Sequence, residues 1–151
     1  MPTKSFGFSL IELLVVVAIL GILSTVGIVA YQGYVTSARV KSTENAMVQI
    51  SLGQTEWFSD NSIYFESTGA ASNSCDPTSA TSDEIEDELL GEADTIKAEL
   101  GFEICSAIDG AGFVVIALKV NPDGTTVTGS QACQIEMDQN MEFTRTGTGC
   151  S

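Results

Sequence analysis

The chain has 151 residues, of which 20 are Asp or Glu, 6 are Lys or Arg and none is His, giving a formal net charge of -14 at pH 7. That is room for one ordinary domain plus a tail. So few cations exclude a sequence-independent grip on a phosphate backbone, which needs Lys and Arg to displace counterions, so no nucleic acid partner is expected. The lack of His removes the usual general base near neutral pH, the Ser-His and Cys-His pairs and every His-containing zinc site.

The apolar residues are concentrated at one end. Between Lys4 and Arg39 the only charged side chain is Glu12, and the run from Phe8 to Ala30 is long enough to cross a bilayer, which takes about 20 helical residues. Lys4 on one side against Arg39 and Lys41 on the other is a weak indication of orientation. A secretory signal would have a shorter apolar core, roughly 7–15 residues, followed by a small-x-small cleavage site, and no convincing site follows here.

The start reads Lys4-Ser5-Phe6-Gly7, then Phe8-Ser9-Leu10-Ile11-Glu12-Leu13-Leu14-Val15-Val16-Val17. This resembles the class III signal of the type IV pilin family: a short leader with a cation, Gly before the cut, an aromatic residue after it, and Glu at the fifth position of the mature chain. The resemblance implies cleavage between Gly7 and Phe8 by a prepilin peptidase and N-methylation of the new Phe8 amine by the same class of enzyme. It also implies that Glu12 meets the Phe8 amine of an adjacent subunit during assembly. Without the resemblance, Glu12 reads as a carboxylate near a helix N-terminus, favoured there by the helix dipole and partly solvated. Where family members commonly carry a Pro in this helix the chain has Val29, so no Pro kink is expected.

Past Tyr34 polarity rises while helical spacing persists, with Val40, Thr43, Met47, Ile50, Gln54 and Trp57 recurring every three or four residues. A continuous helix from Phe8 to Phe58 would be on the order of 75 Å long. Trp57, Phe58, Tyr64 and Phe65 read as core rather than as an aromatic binding box. Residues 67–82 are rich in Ser, Thr, Ala, Gly and Asn and read as a loop. Thr81-Ser82-Asp83-Glu84 has capping-box spacing, and Ile85, Leu89, Ala93, Ile96 and Leu100 continue it as a short acidic helix weakened by Gly91. Its carboxylates, Asp83, Glu84, Glu86, Asp87, Glu88, Glu92 and Asp94, lack the alternating ligands of a calcium loop and read as a solvated face.

The last third changes period. Phe113 to Val120 is strand-like, Asn121-Pro122-Asp123-Gly124 is a turn, Thr125 to Thr128 returns as the second arm of a hairpin, and Cys133, Ile135 and Met137 alternate with polar residues. Phe143 with Arg145 fits a further short strand, making an antiparallel sheet with one face on the helix. Cys75, Cys105, Cys133 and Cys150 lack C-x-x-C spacing, so disulfides are expected rather than a metal, with three connectivities open in principle. The disulfide-bounded C-terminal loop of many pilins points to Cys133–Cys150, which would close that segment onto the sheet, with Cys75–Cys105 as the second bond. Each would stabilise by roughly 3–4 kcal/mol in the chain-entropy model.

The expected fold is therefore α+β and type IV pilin-like, a long N-terminal helix with a membrane-spanning first half packed on a small antiparallel sheet. Its segments are a leader over 1–7, a hydrophobic transmembrane and filament-core helix over 8–34, and an amphipathic continuation over 35–58. A connecting region with the acidic helix follows over 59–112, and the sheet with the disulfide-bounded region over 113–151. No catalytic constellation and no cofactor are expected. The resemblance implies a homo-oligomeric helical filament, an inner-membrane precursor, an assembly platform with an ATPase motor, and an extracellular pilus as the final location. A pseudopilin of a type II secretion system and a membrane-anchored exported binding domain are the alternatives.

Overall fold

The computed structural model describes residues 7–91, 95–96 and 100–150, with the side chains of 26–30 and 32 left aside. Helix α1 spans Leu10–Asn61 and α2 spans Ser79–Leu89; the strands are β1 (Phe102–Asp109), β2 (Gly112–Lys119), β3 (Gln134–Asp138) and β4 (Phe143–Thr146). The chain divides at Val35/Thr36 into two units, so α1 contributes its first part to one and its second part to the other.

In the second unit the strands form one antiparallel sheet in the order β1-β2-β3-β4, a plain meander. Its helix-facing residues come from alternate positions on each strand: Phe102 and Ile104, Phe113, Val115 and Ala117, and Ile135 and Met137. Against them α1 presents Val40, Met47 and Ile50, with Met47 and Ile50 at 0% exposure. Fully burying such side chains contributes about 1.5–3 kcal/mol each. The polar members of this stripe are buried as well and bonded: Thr43 to the Arg39 carbonyl, and Gln54 to the chain that follows the helix.

Helix α2 covers the open edge of β1. Thr81 Oγ1 donates to the Ile104 carbonyl (2.9 Å), and Ser82 Oγ accepts from the Ile104 amide (3.0 Å). Further along, the Ser67 amide donates to the Ser106 carbonyl (2.8 Å), and the Asn73 amide to that of Ile108 (3.0 Å). An edge strand with free amides and carbonyls is a template for aggregation, and here hydroxyls and loop backbone occupy it.

Three expectations are corrected. First, the hairpin is β1–β2, turning at Gly110 and Ala111. Asn121 to Gly124 does form a turn, but Thr125–Thr128 makes only an isolated bridge from Thr126 to Val120. Second, the capping box lies three residues earlier, between Thr78 and Thr81, so Thr81 is the third helical residue and not the cap. Third, α2 stops at Leu89 with Gly91 at φ +63°, a left-handed conformation that suits glycine after a helix end. Ile96 is buried outside any helix, and Ala93 lies outside the described residues.

The β3–β4 turn depends on one carboxylate. Asp138 accepts from the amides of Asn140 (2.9 Å) and Glu142 (2.8 Å) and from Asn140 Nδ2 (2.9 Å). These bonds, the Glu142 amide foremost, hold its pKa below the ordinary Asp value. A depressed carboxylate pKa contributes stability that is present above the ordinary value of about 3.9 and is lost as pH falls through the lower folded value. The amide shifts of Asn140 and Glu142 should therefore titrate together with a midpoint below 3.9 in an NMR pH series. In Asp138→Asn that titration should vanish.

Candidate functional site

The chain's most unusual feature is the start of α1. Ser9 precedes the helix, and its carbonyl accepts from the amides of Glu12 (3.1 Å) and Leu13 (3.3 Å). Glu12 Oε2 in turn accepts from the Ser9 amide at 3.0 Å. The carboxylate thus satisfies one of the orphan donors of the helix start and sits at the positive end of the dipole. Gly7 and Phe8, just upstream, are exposed and non-helical, Phe8 at 83%. Phe8 lies four residues before Glu12 in the sequence, while the carboxylate's hydrogen bond comes from the Ser9 amide. Residues 1–6, including Lys4, lie outside the described residues.

From Leu10 to Leu23 every large apolar side chain stands exposed, Leu10 at 82%, Ile11 at 67% and Ile22 at 68% among them. A helix that is apolar on all sides belongs in an apolar surrounding. The hydroxyls at the end of this stretch add little polarity, since Ser24 donates to the Leu20 carbonyl (2.7 Å) and Thr25 to that of Ile22 (2.8 Å). Ala18 opens a notch on one side, lined by Leu10, Leu13, Leu14 and Val17. Among the described residues no helix is long and apolar enough to cross a membrane. The described side chains of the run reach from Leu10 to Thr25, about 24 Å, against a hydrocarbon core of about 30 Å.

In the second unit, Cys75 is bonded to Cys105, with Cα atoms 6.0 Å apart, and Cys133 to Cys150, with Cα atoms 4.9 Å apart. The first fixes the Ser- and Thr-rich loop to β1. The second clamps the C-terminus onto the start of β3, where Thr148 Oγ1 donates to the Ser130 carbonyl (2.7 Å) and the Gly149 amide to that of Ala132 (3.0 Å). Among the described residues no group of His, Cys, Asp or Glu is arranged to hold a metal ion.

The aromatics pack in the second unit. Trp57 meets Phe65 edge-on at 5.3 Å, and Tyr64 lies between Phe58 (4.6 Å) and Phe113 (5.1 Å). Of the acidic run on α2, Glu84 accepts from the amide and hydroxyl of Thr68, and Glu86 accepts from the amides of Thr95 and Ile96, so two members tie loops to the helix instead of simply facing water. Glu44 was not singled out by sequence reasoning. It is buried on α1, takes Lys41 at 2.9 Å and Arg145 from β4, and so joins helix to sheet. Its only sequence signal is an acid at a position facing the apolar stripe.

Residues 2–28 match the family model for the prokaryotic N-terminal methylation motif. The fimbrial protein of Neisseria meningitidis serogroup A / serotype 4A is 39% identical over 80 residues, covering 48% of this chain and 45% of the relative. The type IV major pilin protein PilE of Neisseria gonorrhoeae is 38% identical over 81 residues, 49% of this chain and 46% of the relative. In this part of its sequence the chain is similar to type IV pilins. A probable minor fimbrial protein of Dichelobacter nodosus is 32% identical over 82 residues, 54% of this chain and 50% of the relative. The chain spans about half the length of the curated relatives it matches. No solved structure matches it. The family-model match lies in the apolar N-terminus; the α+β head with its meander sheet is a pilin-like fold.

Proposed function

We propose that the chain is a structural subunit that polymerises into an extracellular pilus, after cleavage between Gly7 and Phe8 and N-methylation of Phe8. The observation that carries this reading is the start of α1: a helix with apolar side chains exposed on all sides and one carboxylate, Glu12, five residues after the Gly7–Phe8 junction. Before assembly, the run from Phe8 to Ala30 anchors the subunit in the inner membrane; in the filament, the same side chains pack against their copies. A prepilin peptidase with methyltransferase activity, an assembly platform and an ATPase motor are the partners this sequence of events requires.

Cleavage changes what Glu12 can do. It exposes an α-amino group at Phe8, four residues before the carboxylate. A carboxylate taken into hydrocarbon is costly, so an ionic partner there is favoured. The Ser9 amide holds the carboxylate within one chain, and the Phe8 amine of a neighbour is the stronger, charge-assisted partner once lipid is replaced by helices. Glu12 then sets the axial register between helices that otherwise offer only apolar contacts.

The test is intact mass and N-terminal sequencing of material sheared from cells, compared with a Glu12→Ala strain. The native chain should begin at N-methylated Phe8. The Glu12→Ala chain should be processed and remain in the membrane fraction, with sheared material lost. A chain that keeps Met1 to Gly7, or that is shed equally well without the carboxylate, would instead mark a tethered exported domain.

A further inference from the structure

A peroxide reacts with the sulfur of thiolates and thioethers, and how fast it does so follows their exposure. The chain offers no thiolate, because all four cysteines are paired. It has four methionines, of which Met1 lies outside the described residues. Met47 on α1 and Met137 on β3 are at 0% exposure between helix and sheet, whereas Met141 is 49% exposed. Sulfur at the surface meets both the peroxide and the water that receives its leaving group. Sulfur in a close-packed core meets neither.

Met141 ends the short loop Gln139-Asn140-Met141 between β3 and β4. The Asp138 amide donates to the Glu142 carbonyl (3.2 Å), and the Met141 amide donates to the Asp138 carbonyl (2.9 Å). A hairpin loop of this length commonly puts its last residue in the left-handed region, where glycine is the favoured residue. Met141 stands there at φ +61°. Asn73 is also left-handed, at φ +63°, but a short polar side chain eases that conformation and a methionine has none. The turn itself is braced by the Asp138 carboxylate, which accepts from the amides of Asn140 and Glu142. Neither the backbone nor the core therefore calls for a thioether at this position. A local rule broken at an exposed residue points to a use for its side chain at the surface.

We infer that Met141 is an oxidant-reactive site, which a peroxide converts to the sulfoxide while the core methionines stay reduced. The sulfur lone pair attacks one peroxide oxygen, the O–O bond breaks and an S–O bond forms. Sulfur gives up an electron pair and the peroxide gains it. The departing hydroxide takes the proton from the transferred oxygen and leaves as water. An exposed apolar tip at the entry to β4 thereby becomes a polar one that accepts hydrogen bonds. The fold is spared, because the bonds that hold the turn come from the backbone and from Asp138.

The full chain in detergent, treated with hydrogen peroxide and followed by peptide mass mapping, tests this. Met141 should gain one oxygen roughly ten-fold or more faster than Met47 and Met137, which react only when the core opens. In urea above the unfolding midpoint the three rates should converge. The singly oxidised chain should keep its near-UV circular dichroism. Met141→Leu should lose the fast uptake of oxygen. Met141→Gly should lose it too, with a urea midpoint no lower than that of the native chain, because glycine adopts the left-handed conformation freely.

Equal rates at the three methionines of the folded chain, a first oxygen on Met47, Met137 or Trp57, or fast uptake kept in Met141→Leu would each overturn the site. Loss of the near-UV signal on single oxidation, or a Met141→Gly chain less stable than the native one, would show that the thioether serves folding and overturn its surface role.

Discussion

Replacement of Gln54 by Leu should lower the stability of the folded head by about 3–4 kcal/mol, because two buried backbone groups lose their partners and each costs about 1–3 kcal/mol. Gln54 is at 0% exposure in the middle of the α1 stripe. Its Oε1 accepts from the Phe65 amide (2.9 Å), while Nε2 donates to the Phe65 carbonyl (2.9 Å) and to Ser106 Oγ (2.7 Å). The side-chain amide thus acts as a strand partner for a loop residue, pairing both of its backbone groups and tying it to β1 through Ser106. Leu has nearly the right volume, so packing is roughly kept and the loss reports on the polar groups. Urea unfolding of the full chain in detergent, followed by tryptophan fluorescence, would measure it, and the Phe65 amide should lose its protection from exchange. A loss under about 1 kcal/mol, with protection kept, would mean that water or a neighbouring group takes over both bonds.

Gln54 also illustrates what the sequence made legible. Its place in the stripe was readable from spacing alone, since Val40, Thr43, Met47, Ile50 and Gln54 fall on one helical face whatever their polarity. That a polar residue there must have a partner was also readable, but not which one, because Phe65 and Ser106 arrive through tertiary contacts 11 and 52 residues away. The strand β1 is hidden in the sequence for a related reason. Its outward residues Cys105 and Ala107 are as buried as its inward ones, at 0% exposure, so Phe102 to Asp109 lacks the alternation that marks a half-exposed strand. The turn at Gly110 and Ala111 is also a weaker signal in composition than Asn121 to Gly124. At α2 the hydroxyl of Thr81 fills the capping-box role that a Glu usually takes, so the Thr-x-x-Glu spacing in the sequence falls one turn late. The N-terminal motif was legible as a whole because one acid in a long apolar run is so improbable. The bond from the Ser9 amide to Glu12 needed coordinates.

Gly53→Val should destabilise the head by about 3 kcal/mol, the upper range for added bulk in a packed interior, even though glycine is among the poorest helix formers. The two effects oppose each other. Adding a side chain in the middle of α1 reduces the backbone entropy of the unfolded chain and recovers at most about 1 kcal/mol. Against this, a Cβ at position 53 would stand 2.6 Å from the Leu89 carbonyl oxygen and 3.0 Å from the Leu89 Cβ. The first of these is backbone at the last turn of α2, which cannot swing aside like the end of a flexible side chain. Leu89 is itself held, buried in the core, and the next amide, Leu90, is bonded to the Glu86 carbonyl at 3.3 Å. Relief therefore requires α2 to move away from α1 as a body, which would strain the bonds from Thr81 and Ser82 to Ile104 at its other end. The graded series Gly53→Ala and Gly53→Val should fall monotonically in urea midpoint, with Ala showing the smaller loss. A Gly53→Ala chain more stable than native would show that helix propensity wins, and that α2 shifts without loosening its hold on the edge of β1.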